Sequence, residues 1–583
     1  MILFFDFEVL TYDWLVVLIE PMSETETVIV NDRKQLEQFY NKHKSDIWVG
    51  YNNRSYDNYI LKGILCGFNP KDINDHIIVK KRPGWQFSSA LKGYTLYSYD
   101  CYTDKKFGLK QLEAFMGDDI QESKIPFDID RKLTDEEIEE MITYCRHDVE
   151  ETMKVFNHRI NEWNTQLQVL TAFDLPIHNI AKTQTQLSAT ALGAIKTDRY
   201  DEWEYSLVDT IRLDKYSYVK EWYLNPDNHD YKKSLITYVC GIPHIFAWGG
   251  LHGACGHIEK KKDGSLKVVS EPVHRKGLII HVDVTSFYPS IMIRYDMLSR
   301  NVKHKNIYKE IYDTRVALKK AGKKKQQEPY KLILNKTYGG SGDQYNALCD
   351  MRRRNEVCIN GQLLLCDLCE KLEGHCELLQ SNTDGLIIQI PDTDEAFEKI
   401  DDICFEWESR TGMGLGFDFI KEIYQKDVNN YLWIDFDDNV HAIGGYVKPF
   451  NVLDNDLPIV KKALVDYMVK GIPPETTVYS CDDLIMFQKV VKVSEKYEYG
   501  LHNGKRLNGK AFRVFASNDV NDTTIYKVKN IKGALKPEKF ANTPLSCFID
   551  NSDINGKKPP ENLNKAWYVD MANERLSQFG VII

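Results

Sequence analysis

The chain has 583 residues, 43% hydrophobic and 27% charged, with a net charge of −10. That length exceeds what one hydrophobic core usually sustains, so several domains are expected, and the composition excludes a disordered or fibrous chain. No run of about 18 apolar residues occurs, so no membrane span is expected. The apolar start reaches Asp6 with no basic region before it, unlike a secretory signal.

Thirteen cysteines without regular spacing suit reduced thiols in a cytoplasm. Only Cys366 and Cys369 form a close pair, in a stretch that reads as helix. Zinc would need two more ligands, and Cys358 or Cys376 are the nearby candidates, so buried helical cysteines are the expectation.

Residues 1 to about 180 alternate apolar strands (MILFFDF, LVVLIE, DIWVGY) with helical stretches (DRKQLEQFYNKH, DEEIEEMITYCRHDVEETMKVFNHRI), the pattern of an α/β domain. In the first strand Asp6 and Glu8 stand two apart and share a face. Two anions that close repel unless a divalent cation or a proton lies between them. NRSYD, at 53–57, follows DIWVGY where a loop enters a helix. The helix that follows Leu133 is capped by Thr134, with Asp135, Glu136 and Glu137 in its first turn. Within it Tyr144 and Asp148 are one turn apart on one face.

QTQLSATALGAI reads as a connecting helix, and after Asp201 the pattern is irregular up to the Gly-rich AWGGLHGACG. The apolar run at 277–283 ends on Asp283, where an unpaired charge is costly, and a helix is entered through Pro289. Basic helices at 308–322 and 329–338 flank a hairpin tip, AGKKKQQE. From Arg300 to Arg354 there are 15 Lys and Arg against 5 Asp and Glu, a local excess of +10 in a chain that is otherwise −20. A solvated basic helix pair is the plain reading, and a phosphate-binding arm the functional one. A longer helix is expected at 355–372, then a hairpin, ELLQSNTDGLIIQI, with Asp384 in its turn. The last 150 or so residues read as short strands and loops in a separate lobe.

Taken in order, these residues resemble two known sets. Asp6, Glu8, Asp57 and Asp148 match the four acids of proofreading 3′→5′ exonucleases, and Tyr144 matches their tyrosine subclass; Thr143 stands where the histidine subclass keeps its base. DVTSFYPS resembles motif A of the family B DNA polymerases, D-x-x-S-L-Y-P-S, with Phe287 for the leucine. KLILNKTYG is similar to K-x-x-x-N-S-x-Y-G through Lys331, Asn335, Tyr338 and Gly339, with Lys336 for the serine. NTDG stands where the family has D-T-D-S, so Asn382 replaces the first acid and Gly385 the serine. AWGG resembles the Y-x-G-G link of phage enzymes without its tyrosine. The chain as a whole resembles a compact bacteriophage-type family B DNA polymerase with proofreading.

The resemblance implies an α/β and α+β multidomain fold, an RNase H-like (DnaQ-type) exonuclease domain followed by a right-hand polymerase. The exonuclease is expected at 1–185, a connecting segment with the first part of the palm at 186–299, and a fingers hairpin at 300–343. The second part of the palm would occupy 344–425, and the thumb with a C-terminal lobe 426–583. The extra N-terminal domain of larger replicases has no room before residue 6.

Two magnesium ions per site are implied, with manganese as substitute: one pair on Asp6, Glu8, Asp57 and Asp148, the other on Asp283, Asp384 and the carbonyl of Val284. Tyr144 would orient the attacking water. Lys331, Asn335 and Tyr338, at helical spacing, would face the incoming dNTP with Arg315 and Lys319. Ser286 and Phe287 would offer backbone amides to its phosphates, and Tyr288 would exclude a 2′-hydroxyl. Asn53, Tyr56, Lys124, Trp248, Gly249, Gly250, Gly339, Thr383 and Tyr431 are the expected DNA contacts.

The implied partners are primer–template DNA and dNTPs, with a helicase, a single-strand-binding protein or a processivity factor as further candidates. A monomer in a bacterial host cytoplasm is expected. The motif spacing leaves no room for the insertions of protein-primed relatives, so extension from a nucleic-acid primer with weak strand displacement is expected. Two alternatives stay open: an exonuclease whose polymerase half has decayed, which Asn382 would suit, and a non-catalytic primer–template-binding protein. Intact Asp283, Asp384 and Lys331 argue against both.

Overall fold

Alternation in ILFFDFEV sets the architecture of the N-terminal region. In the computed structural model, which describes residues 1–102 and 105–581, Ile2–Val9 forms strand β1. Leu3, Phe5, Phe7 and Val9 are buried in one hydrophobic cluster with Trp48, Leu61 and Ile64. Phe4, Asp6 and Glu8 take the opposite face, where Phe4 meets Phe156 edge-on at 5.3 Å between ring centroids.

With β2 (Trp14–Glu20), β3 (Thr25–Val30), β4 (Ile47–Gly50) and β5 (Tyr97–Asp100), the strands form a sheet of order β3-β2-β1-β4-β5. The parallel pairing of β1 with β4 covers only Ile2, Leu3 and Phe4. Past it that edge of β1 is unpaired, and the Phe7 N–H donates to Asp57 Oδ1 at 3.2 Å instead. Helices α1 (Arg33–His43), α2 (Asp57–Cys66), α3 (Leu109–Met116) and α4 (Asp135–His158) accompany the sheet. α4 begins as its sequence dictates. Thr134 Oγ1 accepts from the Glu137 N–H at 3.3 Å while the Glu137 carboxylate accepts from the Thr134 N–H at 2.9 Å, a reciprocal cap.

By its internal contacts the chain divides into two units. Met1–Lys182 belongs with Phe450–Ile459 and Tyr479–Tyr568; Thr183–Pro449 belongs with Val460–Val478 and Val569–Ile583. The region expected as one lobe, 426–583, is therefore shared between the two.

The second unit is built on a nine-stranded antiparallel sheet. Its strands are β6 (Leu235–Val239), β7 (Ile242–Phe246), β8 (His252–Ala254), β9 (Val273–Val284), β10 (Glu377–Asn382), β11 (Gly385–Gln389), β12 (Leu415–Asp427), β13 (Asn430–Asp435) and β14 (Val440–Ile443). Their order is β14-β13-β12-β9-β11-β10-β8-β7-β6. The register of β9 on β12 shifts between Lys276 and Ile279, where Gly277 adopts φ +122°; a bulge of this kind needs glycine.

The helices of this unit that bear on the site are α5 (Phe287–Arg294), α6 (Asn306–Lys320), α7 (Lys324–Ser341) and α8 (Met351–Leu372). Two of them depart from the sequence expectation. α7 starts at Lys324, so the hairpin tip is short and Pro329, a favoured first residue, lies inside the helix. α8 starts at Met351, because Asp350 accepts from the Arg353 N–H at 3.5 Å and caps it.

The irregular stretch after Asp201 is explained by α8. It runs extended along that helix, and the N–H groups of Ser206, Val208, Arg212 and Asp214 donate to the side chains of Glu356, Asn360, Asp367 and Glu370 at 2.8–3.1 Å. The backbone donors of this stretch lack strand partners, and here the side chains of a helix supply the acceptors that a neighbouring strand would.

The C-terminal part of the first unit carries β15 (Lys489–Lys492), β16 (Ala511–Ala516) and β17 (Cys547–Ile549), in the order β15-β16-β17. All thirteen cysteines are free thiols; Cys358, Cys366 and Cys369 are buried in α8 and Cys376 partly so. Among the described residues no cysteine set has metal-site spacing beyond the single Cys145 discussed below.

Candidate active sites

Asp6 and Glu8 from β1, Asp57 from the start of α2 and Asp148 from α4 line one cavity of about 720 Å³, together with Tyr56 and Tyr144. Burial first, then the negative charges of Asp57, Glu8 and Asp148, drives the Asp6 carboxyl well above the usual range, with Lys110 opposing. Burial and then Asp148 do the same to Glu8. Burial lifts Asp57 to about 7 against the Phe7 N–H that it accepts. It lifts Asp148 to about 6 against Lys110. Three buried acids and the half-buried Asp6, with Lys110 the cation bonded to Asp148, gather more carboxylates than ammonium groups, and hard oxygens are the donors that magnesium or manganese selects.

Two tighter groups occur here: ligand atoms of Asp6, Glu8 and Cys145 lie within 4.8 Å of one another, as do those of Glu113, His147 and Asp148. Cys145 is the misfit. Burial pushes its thiol up, and its Sγ donates to the Asp6 carbonyl at 3.3 Å, so it packs as a neutral group.

Lys124, one of the expected DNA contacts, has an 85% exposed side chain 3.9 Å from Glu140 and does not meet these acids. Lys110 of α3 occupies the place instead. Its ammonium bonds Asp148 and, at 3.1 Å, Glu113, and lies 4.7 Å above the centre of the Tyr144 ring. The sequence signal was Glu113, a fully buried acid among Leu112, Ala114 and Phe115 that needs a cation nearby. Burial and then Asp148 raise the Tyr144 phenol, so it is a proton donor over the whole physiological range.

Tyr56 donates to Asn74 Oδ1 at 2.8 Å with its ring on the cavity wall. Asn53 does not reach the cavity. It is fully buried, and its amide donates to Ser98 Oγ at 3.0 Å and the Tyr99 carbonyl at 3.3 Å, while its Oδ1 has no hydrogen-bond partner among the described residues.

In the second unit Asp283 lies near the end of β9 and Asp384 in the β10–β11 turn. Asp283 is paired across the sheet with Gly385, and the Val284 N–H donates to the Asp384 carbonyl at 2.8 Å. The two acids, about a hundred positions apart in the chain, are thus neighbours. Burial and then the Asp384 charge lift the Asp283 carboxyl to about 6; Asp418 adds to the rise, and His281 and Lys319 oppose it. Burial also raises Asp384.

The turn itself is closely packed. Thr383 has φ +48° and donates its N–H to the Leu251 carbonyl at 2.8 Å. A Cβ on Gly250 would lie 2.5 Å from Thr383 Oγ1, and one on Gly385 would lie 2.9 Å from the Val282 carbonyl. Gly385 is therefore required where a serine was expected. Asn382 Oδ1 accepts from the Thr383 hydroxyl at 3.4 Å.

Arg315 of α6 donates to Ser286 Oγ at 2.9 Å, and Ser286 holds φ +51° at the entry to α5. Phe287 is buried, and Tyr288 packs on Tyr338 of α7 with ring centroids 4.4 Å apart. Lys331 is half-exposed, 3.8 Å from Glu328; Asn335 and Gly339 are exposed.

Two expected DNA contacts are core side chains. Trp248 is 4% exposed, its ring packed by Trp203, Trp222, Tyr223 and Tyr231. Gln362 holds the carbonyls of Ala247 and Gly249 at 2.7 and 2.8 Å. Tyr431 is 7% exposed, in a cluster with Leu379 and Ile387. Both rings are taken up by packing that the sequence pattern did not disclose.

No protein-family model matches the chain, and no curated protein matches it. Among solved structures it is similar to the family B DNA polymerase from the hyperthermophilic archaeon Pyrobaculum calidifontis, at 13% identity and a TM-score of 0.41, over 100% of this chain and 78% of that one.

Proposed function

We propose that the chain is a DNA-directed DNA polymerase with a 3′→5′ proofreading exonuclease, of the compact bacteriophage type, acting on primer–template DNA and dNTPs in a host cytoplasm. In this reading the first unit carries an RNase H-like nuclease, and the second carries palm and fingers, with α6 and α7 as the fingers hairpin. The observation that carries it is the meeting of Asp283, near the end of β9, with Asp384 in the turn that leads into the neighbouring strand β11, both with raised carboxyls.

Magnesium held by Asp283, Asp384 and the Val284 carbonyl, and separately by Asp6, Glu8, Asp57 and Asp148, would supply phosphate activation and charge neutralisation. The chain's own groups do the rest. Arg315, Lys319 and Lys331 bind the triphosphate, and Arg315 also fixes Ser286 at the start of α5. Tyr288, held by Tyr338, closes the space beneath the sugar. In the nuclease cavity Lys110 fixes Asp148, and Tyr144 orients the water through its protonated hydroxyl.

The test is primer extension by the purified protein with primer–template, magnesium and four dNTPs. Wild type is expected to extend the primer, Asp384→Ala to lose extension while still shortening 3′ ends, and Asp6→Ala to extend without shortening. Loss of both activities in each variant, with folding intact, would defeat the two-site assignment.

A further inference from the structure

Lys492 ends β15 and is paired with Ala511 of β16, yet it lines the same cavity as Asp6, Glu8, Asp57 and Asp148. Its ammonium stands 3.3 Å from where a Cβ on Gly108 would sit, at the start of the helix that carries Lys110. The other lysines around the cavity are already engaged: Lys71 by Asp75, and Lys110 by Asp148 and Glu113. Among the described residues no carboxylate bonds Lys492. Glu495, the nearest acid in its strand region, is held by Lys81 at 2.7 Å. Burial and the neighbouring Lys510 act against the Lys492 charge, Glu495 acts for it, and the balance is against the charge; a bound anion would favour it further.

Its position is fixed from behind. Arg513 of β16 is wholly buried without a carboxylate bonded to it, and its guanidinium donates to the carbonyls of Ala114 and Asp118 at the end of α3, at 3.2 and 2.7 Å. It also holds the carbonyls of Asp550 and Ser552, at 3.2 and 2.7 Å. The strand pair that presents Lys492 is thus tied to the helix that presents Lys110.

We propose that Lys492 is a phosphate-binding residue of the nuclease cavity, gripping the backbone of the single strand whose 3′ end lies at the four acids. The proposal rests on the nuclease reading above. A lysine there adds affinity without sequence preference, because it meets only the backbone.

The test compares wild type with Lys492→Ala, Lys492→Glu and Lys492→Arg, each checked for an unchanged melting temperature. Binding of a fluorescein-labelled oligo(dT) is followed by anisotropy with calcium in place of magnesium, and degradation is followed with magnesium. Lys492→Ala should weaken binding about tenfold, and the slope of log Kd against log salt should fall by about 0.7. KM should rise in step while kcat changes less than about twofold; the glutamate should be worse and the arginine close to wild type. An alanine variant with the wild-type Kd and salt slope overturns the proposal while leaving the nuclease reading standing. Failure of that reading looks different: wild type that leaves 3′ ends intact, or Asp6→Ala that still degrades them, removes both.

Discussion

Asp57 and Asp148 have carboxyls raised to about 7 and about 6 by burial, so the metal-free fold binds their protons more tightly than the unfolded chain does. A raised carboxyl leaves stability intact below the unfolded value near 4 and removes it as pH climbs through the folded one. For Asp57 the loss by pH 8 is on the order of 4 kcal/mol. Asp57→Asn should therefore raise the melting temperature of the metal-free first unit by several degrees at pH 8, and much less at pH 5. Scanning calorimetry at the two pH values checks this, and an equal shift at both would contradict it. Lys110 works in the opposite sense, lowering Asp6 and Asp148. Lys110→Met should move the acid limb of the nuclease pH profile upward by about one unit, as read from initial rates between pH 5 and 9.

Pairs of elements carry the next level. α6 and α7 are joined by Tyr308, buried, whose hydroxyl donates to the Leu334 carbonyl at 3.1 Å, and the pair presents Arg315 toward Ser286. Arg315→Ala should raise KM for dNTP about tenfold, the loss of one charge-assisted contact, with little change in melting temperature; steady-state extension on a defined template measures it. A KM within twofold of wild type would remove Arg315 from the triphosphate.

How much of this was legible follows from the range of the interactions. The β1 alternation, the Thr134 cap and the β10–β11 hairpin are set by residues within a few positions of one another, and the sequence displays them. The extended stretch held on α8 is not legible, because its backbone partners lie about 150 positions away and leave no period. Lys110 was not legible for the same reason, its partner Asp148 lying in another helix, and the burial of Asn53 and Trp248 was not legible because polarity and aromaticity do not report burial. Asn382 was legible as a departure, but its contact with the Thr383 hydroxyl was not. It is a neutral group beside two already raised carboxyls. Asn382→Asp should push Asp283 and Asp384 higher still and lower metal-free stability at neutral pH, seen as a lower melting temperature that added manganese restores.

At the scale of the molecule, each unit carries one cluster of raised acids, and both clusters belong to one chain. Two sites on one polypeptide cannot part, and covalent linkage raises the effective concentration of one at the other well above that of separate chains in a dilute assay. Correction of a mismatched primer end should therefore take place within a single encounter. Wild type bound to a primer with a mismatched 3′ terminus, then given magnesium, dNTPs and an excess of heparin trap together, should remove the mismatch and extend. An equimolar mixture of Asp6→Ala and Asp384→Ala holds the same two activities on separate chains, so it should yield corrected product without the trap and almost none with it. Product lengths on a sequencing gel separate the cases. If wild type and mixture respond alike to the trap, the primer leaves the protein between the two reactions, and placing both sites on one chain gives no kinetic advantage.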